Sequence, residues 1–247
     1  MAFAADPDTE QPTLARSFST VTYTGNGGTQ SIEGLGFSPN FVWTKVRAGS
    51  NSFHILADST RGGTKAIFSN STNAEQTRSN HIQSFDSDGF TLGADGTSNY
   101  TGETYVAWCW KADDNEPTIN TNGTIDSIVS ANANSGFSIV KYTGDGSTSK
   151  TVGHSLSSAP EMVFVKRLDS SADWYVWATP VMSITGSTSD YLVLNSSAAK
   201  VTAASVTNLW GGNVPSATTI GVGDSSGSNA SGGEYIAYCF HSVSGYS

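Results

Sequence analysis

Thr104-Tyr105-Val106-Ala107-Trp108-Cys109-Trp110 returns near the other end of the chain as Glu234-Tyr235-Ile236-Ala237-Tyr238-Cys239-Phe240, with aromatic, small and sulfur positions matched one for one. Alternation of this kind reads as a strand, and its recurrence marks a duplication. The openings match too: Phe18-Ser19-Thr20-Val21-Thr22-Tyr23-Thr24-Gly25-Asn26-Gly27 against Phe137-Ser138-Ile139-Val140-Lys141-Tyr142-Thr143-Gly144-Asp145-Gly146. The openings stand 119 residues apart and the cysteine strands 130, so the second copy carries about 11 additional residues.

Between these landmarks the copies keep step. Phe41-Val42-Trp43-Thr44-Lys45-Val46-Arg47 follows Ser38-Pro39, and Met162-Val163-Phe164-Val165-Lys166-Arg167-Leu168 follows Ala159-Pro160 at an offset of 121. A proline just ahead of both strands marks one turn used twice. Phe53-His54-Ile55-Leu56-Ala57 and Trp174-Tyr175-Val176-Trp177-Ala178 hold the same offset. Both faces of these strands carry apolar residues, which predicts a core on one side and a partner surface, a covering loop or the other domain on the second. The predicted fold is all-β, with six to eight short strands per copy joined by Gly-, Ser- and Asn-rich turns. Two tandem antiparallel β-sandwich domains, of which a jelly roll is one closed form, bury such strands most simply.

The predicted organisation is an N-terminal arm over 1–16, a first domain over 17–112, a connector over 113–135 and a second domain over 136–247. The connector interrupts its polar sequence with Ile125 and Ile128-Val129, which suits a segment lying along a domain surface or one short helix. Composition agrees: 247 residues, 37% apolar, 13% charged and 26 glycines describe a turn-rich β protein poor in helix formers. Twelve basic against 21 acidic residues give a net charge of −9, which disfavours a nucleic-acid partner because that affinity comes from neutralising phosphates. The sequence has no basic-then-apolar leader and no 18-residue apolar run, so neither a signal peptide nor a membrane span is expected. Cys109 and Cys239 occupy the same place in two copies, so each is expected as core packing and not as half of a disulfide.

Chemistry is harder to find. His54, His81, His154 and His241 show no metal-site spacing, and no Gly-rich loop leads into Lys-Ser/Thr on a helix, so no cofactor and no enzyme are expected. The one charged cluster is His54, Asp58, Arg61, Asp86 and Asp88. Within Asp58-Ser59-Thr60-Arg61-Gly62-Gly63 a bond from Arg61 to Asp58 or Asp86 would close the loop. Asp86 and Asp88 with nearby carbonyls are the calcium candidate. The second copy has Thr179-Pro180-Val181-Met182 there. For binding, Trp43, Trp110, Trp177 and Trp210 are the candidate contacts with a glycan or a protein, since flat aromatic faces edged by Asn, Ser and Asp suit both. Trp210, in a Gly-rich loop, is the best candidate for exposure, with burial under that loop equally open. In the arm, Phe3, Pro7, Pro12 and Leu14 suggest an anchoring peptide.

Phe18 to Gly28, Leu35-Gly36-Phe37-Ser38-Pro39, Asp58-Ser59-Thr60-Arg61-Gly62, Asp88-Gly89-Phe90-Thr91-Leu92-Gly93, Tyr105 to Trp110, Gly136-Phe137-Ser138-Ile139-Val140 and Cys239 to Tyr246 together resemble a repeated, tail-fibre-like module of structural proteins in tailed bacteriophages, often those of marine bacteria. The resemblance covers nearly everything after residue 16. It implies lectin-type sandwiches of the concanavalin or laminin-G sort, a virion location reached by assembly in the host cytoplasm and release by lysis, and partners among other virion proteins. It also implies homo-oligomers, trimers in the case of fibres. The expected function is a non-enzymatic virion surface protein, a capsid or tail decoration component; the alternative is a receptor-binding fibre or spike adhesin recognising bacterial surface glycans.

Overall fold

The structure is a computed structural model that describes residues 17–49, 53–179, 181–185, 188–205 and 208–244. Phe3, Pro7, Pro12 and Leu14 lie outside the described residues.

The first half contributes β1 (Phe18–Thr24), β2 (Gln30–Glu33), β3 (Phe41–Ala48), β4 (Ile55–Asp58), β5 (Lys65–Phe68), β6 (Gln76–Thr77), β7 (Ile82–Asp86), β8 (Gly89–Leu92) and β9 (Thr104–Trp110). They form a sheet ordered β1-β9-β3-β4-β5-β6 and a smaller one ordered β2-β8-β7. The second half contributes β10 (Thr118–Asn120), β11 (Ser127–Asn132), β12 (Phe137–Thr143), β13 (Ser149–Gly153), β14 (Met162–Arg167), β15 (Trp174–Ala178), β16 (Ile184–Thr185), β17 (Thr188–Val193), β18 (Val201–Ala203), β19 (Thr219–Gly223) and β20 (Glu234–Phe240). Here the long sheet runs β10-β11-β12-β20-β14-β15-β17-β16, with β18 also on β17, and β13 pairs with β19. Every pairing of named strands is antiparallel, so the protein is all-β with several antiparallel sheets. No helix among the described residues is long and apolar enough to cross a membrane.

One sequence expectation changes. The connector forms no short helix: β10 and β11 extend the second long sheet past β12. Val129 explains it, because alternation sends this β-branched side chain into the same core as Val140 and Tyr142.

Each half has a core between its long and short sheets. In the first, Tyr105, Ala107 and Cys109 of β9 meet Ile32, Phe90 and Leu92. In the second, Tyr235, Ala237 and Cys239 of β20 meet Val152, Ile220 and Val222. The other faces of both long sheets are apolar because they pack on each other. Phe41, Leu56 and Ile67 from the first half join Phe137, Ile139, Trp174, Ile236 and Tyr238 from the second in a third core, with Trp43, Trp110, Phe164 and Phe240 packed against it. Rings cross this seam at close range: Phe41–Tyr238 at 4.4 Å, Phe41–Phe137 at 5.8 Å and Trp110–Phe240 at 6.0 Å.

The copies also share a clamp that fixes the end of each cysteine strand. Tyr23 stacks on Tyr105 and Tyr142 on Tyr235, both pairs at 5.1 Å and 14°. Tyr23 donates to Ser98 O and Tyr142 to Ser228 O. Asn99 Oδ1 accepts from Asn26 N as Asn229 Oδ1 accepts from Asp145 N, and the Nδ2 groups donate to Gly28 O and Ser147 O. A Cβ on Gly25 would collide with Tyr100 O, and one on Gly144 with Ala230 O, which is why both hairpins carry glycine there.

Cys109 and Cys239 are buried free thiols. Burial pushes both up, Cys239 to about 12, from an ordinary 9.0. Burial acts oppositely on Lys166, lowered from 10.5 to about 8, whose Nζ donates to Thr72 O, Arg167 O and Ala172 O. Between these values the unfolded chain binds the lysine proton more than the folded chain does, so stability rises with pH from about 8. Above 9 the unfolded thiols lose protons that the folded ones keep, so stability falls at about 1.4 kcal/mol per pH unit for each thiol once fully developed. The buried tyrosines, raised from 10.0 by burial, add to this fall as pH approaches 10. Unfolding free energy is therefore expected to pass through a maximum between about pH 8 and 9. Urea titrations at pH 7.5 to 10 measure it, with Lys166→Met flattening the rising limb and the Cys109→Ala/Cys239→Ala pair making the falling one shallower. A curve that declines steadily from about pH 8 would refute the assignment.

Candidate functional site

The seam has a polar end and an aromatic end. At the polar end β4 finishes at Asp58 and the chain turns through Gly62, at a φ of +96° that glycine tolerates. Arg61 N donates to Asp58 Oδ1 at 2.9 Å and Arg61 Nε to Asp58 Oδ2 at 2.6 Å. The guanidinium also donates to Glu75 Oε2 at 3.0 Å, to the carbonyls of Lys65 and Leu56, and to the Tyr238 hydroxyl at 3.2 Å. Tyr238 in turn donates to Asp58 Oδ2 at 2.7 Å. Burial disfavours the Arg61 charge, but Asp58, Tyr238 and Glu75 more than offset it, and its pKa is raised. Close by, Trp174 Nε1 donates to Phe68 O at 2.7 Å and Glu75 N to Leu168 O at 2.8 Å. The Asp58-Arg61 turn thus closes its own loop and also grips the other half. Sequence reasoning found Asp58 and Arg61 and missed Glu75 and Tyr238. The available signal was the aromatic pair Trp108/Tyr238, where the second copy alone carries a hydroxyl.

At the aromatic end the sheets splay into a trench. One part, of about 500 Å³, is lined by Phe18, Trp110, Phe137, Met162 and Phe240 with Glu161, His241, Ser242 and Ser135 on its polar side. A second part, of about 270 Å³, shares Trp110, Met162 and Phe240 and adds Trp43 and Phe164. Phe18 and Met162 are 38% and 41% exposed, while Trp43 and Trp110 are half-buried. Trp43 Nε1 is buried with no hydrogen-bond partner among the described residues. Glu161 Oε2 accepts from both the backbone and the hydroxyl of Ser242, fixing that side of the trench.

Of the four candidate tryptophans, the structure brings Trp43 and Trp110 together in this trench and separates the others from it. Trp177 and Trp210, each 2% exposed, cross edge to face at 5.9 Å in the second core. Of the two placements open for Trp210, exposure and burial under its loop, the structure has burial, which removes it from the candidate contacts. Gly223 N bonds Leu209 O as Gly93 N bonds His81 O, so Trp210 stands where the first half has the buried Ile82, and its Nε1 donates to Asp190 O. The Gly-rich loop around Trp210 is the second copy's replacement for β7.

The remaining candidates are engaged within the fold. Asp88 accepts from Gly34 N and Gly36 N, and Asp86 from Thr91 Oγ1. His81 is buried against Ser98 Oγ and held at about 4 by that burial, and His154 is also buried, bonding Ser216 O. Among the described residues no three His, Cys, Asp or Glu side chains stand together as a metal site would need.

A family model, described as a domain of unknown function (DUF7483), matches residues 14–247. The chain belongs to this family. Neither the curated proteins nor the solved structures yielded a match. The DUF7483 match is one stretch across both copies of this chain.

Proposed function

We propose that the chain is a non-enzymatic structural protein of a bacteriophage virion surface, built as tandem β-sandwiches and serving as a capsid or tail decoration component. The observation that carries this reading is the trench. The outer faces of the long sheets pack on each other over the third core, and beside it Phe18, Trp110, Met162 and Phe240 line an open apolar strip with a polar border. Apolar cores rimmed by polar groups suit contact with another protein chain. The acidic net charge fits a surface that avoids nucleic acid.

The adhesin reading draws on the same place, because Trp43 and Trp110 offer ring faces beside Glu161 and Ser242, a pattern that also suits sugars. Two measurements separate them. Mass spectrometry of purified particles is expected to find the chain, and Met162→Asp, an exposed change at the trench, is expected to reduce its retention at least about tenfold. Binding of the isolated protein to host envelope polysaccharide, with unaltered retention of Met162→Asp, would move the assignment to the adhesin. A chain missing from particles would overturn both.

A further inference from the structure

The duplication exposes a position at the edge of the first long sheet that none of the described residues fills. In the second half β12 lies between β20 and β11. His241 N donates to Gly136 O, so alternation turns the backbone groups of Ser138, Val140 and Tyr142 toward β20 and those of Phe137, Ile139 and Lys141 toward β11. There they meet Asn132, Ser130 and Ile128. In the first half Lys111 N donates to Ser17 O and Gly25 N to Glu103 O, so Ser19, Val21 and Tyr23 face β9. Phe18, Thr20 and Thr22, the counterparts of Phe137, Ile139 and Lys141, then direct their N–H and C=O groups outward. Among the described residues β1 pairs with β9 alone.

This edge lacks the usual protections. Phe18-Ser19-Thr20-Val21-Thr22-Tyr23-Thr24 has no charge, no proline and no bulge, and is rich in β-branched and aromatic residues. Other edges are guarded: β10 is three residues long and follows Pro117, and β6 has two. Gly136, at φ +71° where a Cβ would strike His241 O, closes the turn that folds β11 back onto β12, and its counterpart in the first half is Ser17.

We propose that β1 pairs antiparallel with β1 of a second copy of this chain, about a two-fold axis at Thr20, joining the two first-half sheets into one. The strand is complementary to itself. Phe18 would oppose Thr22 of the partner subunit and Thr20 would oppose Thr20 of the partner subunit, so each outward N–H meets an outward C=O, giving about six backbone bonds with no like charges opposed. This goes beyond the virion reading and does not depend on it.

Sedimentation equilibrium of the full chain is expected to show a dimer at about 100 μM, with exchange of the amides in residues 17–24 slowing as concentration rises. Thr20 is exposed and its N–H is free of β9, so Thr20→Pro is expected to keep the circular dichroism spectrum and weaken the dimer at least about tenfold. Thr22→Lys, which adds a charge without touching the β1–β9 ladder, is expected to do the same. A monomer at this concentration overturns the proposal, as does a dimer or trimer indifferent to both substitutions. Dimerisation appearing only after deletion of residues 1–16 also overturns it, by assigning the edge to the chain's own N-terminal segment.

Discussion

Arg61→Met is expected to lower the unfolding free energy by about 3–5 kcal/mol, because it leaves the Asp58 carboxylate buried without its cation. The side chains of Asp58 and Arg61 are 0% and 1% exposed, so water cannot replace the lost partner. The same change strands the Lys65 and Leu56 carbonyls and removes a partner of Glu75 and Tyr238. Tyr238→Phe, which removes only the hydroxyl, is expected to cost about 1–3 kcal/mol. The two losses are coupled through Asp58 Oδ2, which both groups bond. A double-mutant cycle read by urea unfolding is therefore expected to fall short of additivity by about 1 kcal/mol or more. Additive losses would mean that Arg61 serves its own loop alone, and a total effect below about 1 kcal/mol for Arg61→Met would remove it from the seam's energetics.

Trp210→Ala is expected to cost about 3–5 kcal/mol as well, through the cavity left by a large ring in a packed core. Its Nε1 satisfies the Asp190 carbonyl, and Trp177 would lose its edge-to-face neighbour. Because Leu209 O accepts from both Gly223 N and the Ser228 hydroxyl, loosening this loop also loosens β19 and the nearby clamp. Thermal unfolding followed by calorimetry measures the loss. Acrylamide quenching is expected to leave Trp210 fluorescence largely untouched in the native protein, in a background where the other tryptophans are replaced by phenylalanine. A marginal loss of stability with strong quenching would place the ring at the surface.

The matched cysteine strands made the repetition and the strand-rich fold legible, because alternation over Tyr105 to Trp110 and Tyr235 to Phe240 survives without knowledge of neighbours. What covers their second faces was not legible. Trp110, Phe41 and Tyr238 read as apolar whether they meet a loop, another protein or each other, and only the arrangement of sheets distinguishes these cases. Trp210 was ambiguous for a related reason: glycines around a tryptophan suit an open loop as well as a packed one, and here Gly211 and Gly221 let backbone press against Val222 and Trp210. The clamp had a visible signature, Ser98-Asn99 with Gly102 and Tyr105 against Ser228-Asn229 with Gly232 and Tyr235 at one constant offset. Its meaning depended on hydrogen bonds reaching back about seventy to eighty residues, to Asn26 and Asp145. Ile125 and Val129 interrupted a polar connector, but side chains that enter the core at scattered positions are a weak periodic signal for a strand.

The aromatic seam also bears on how the two copies can change over time. Either half alone would present Phe41, Trp110 and their neighbours, or Phe137, Trp174 and Tyr238, to water as a broad sticky face. Gene shortening by loss of one repeat, the simplest reversal of a tandem duplication, would therefore yield an aggregating product. The repeats have become mutually obligate, and each is free to diverge only on the surfaces it does not show the other.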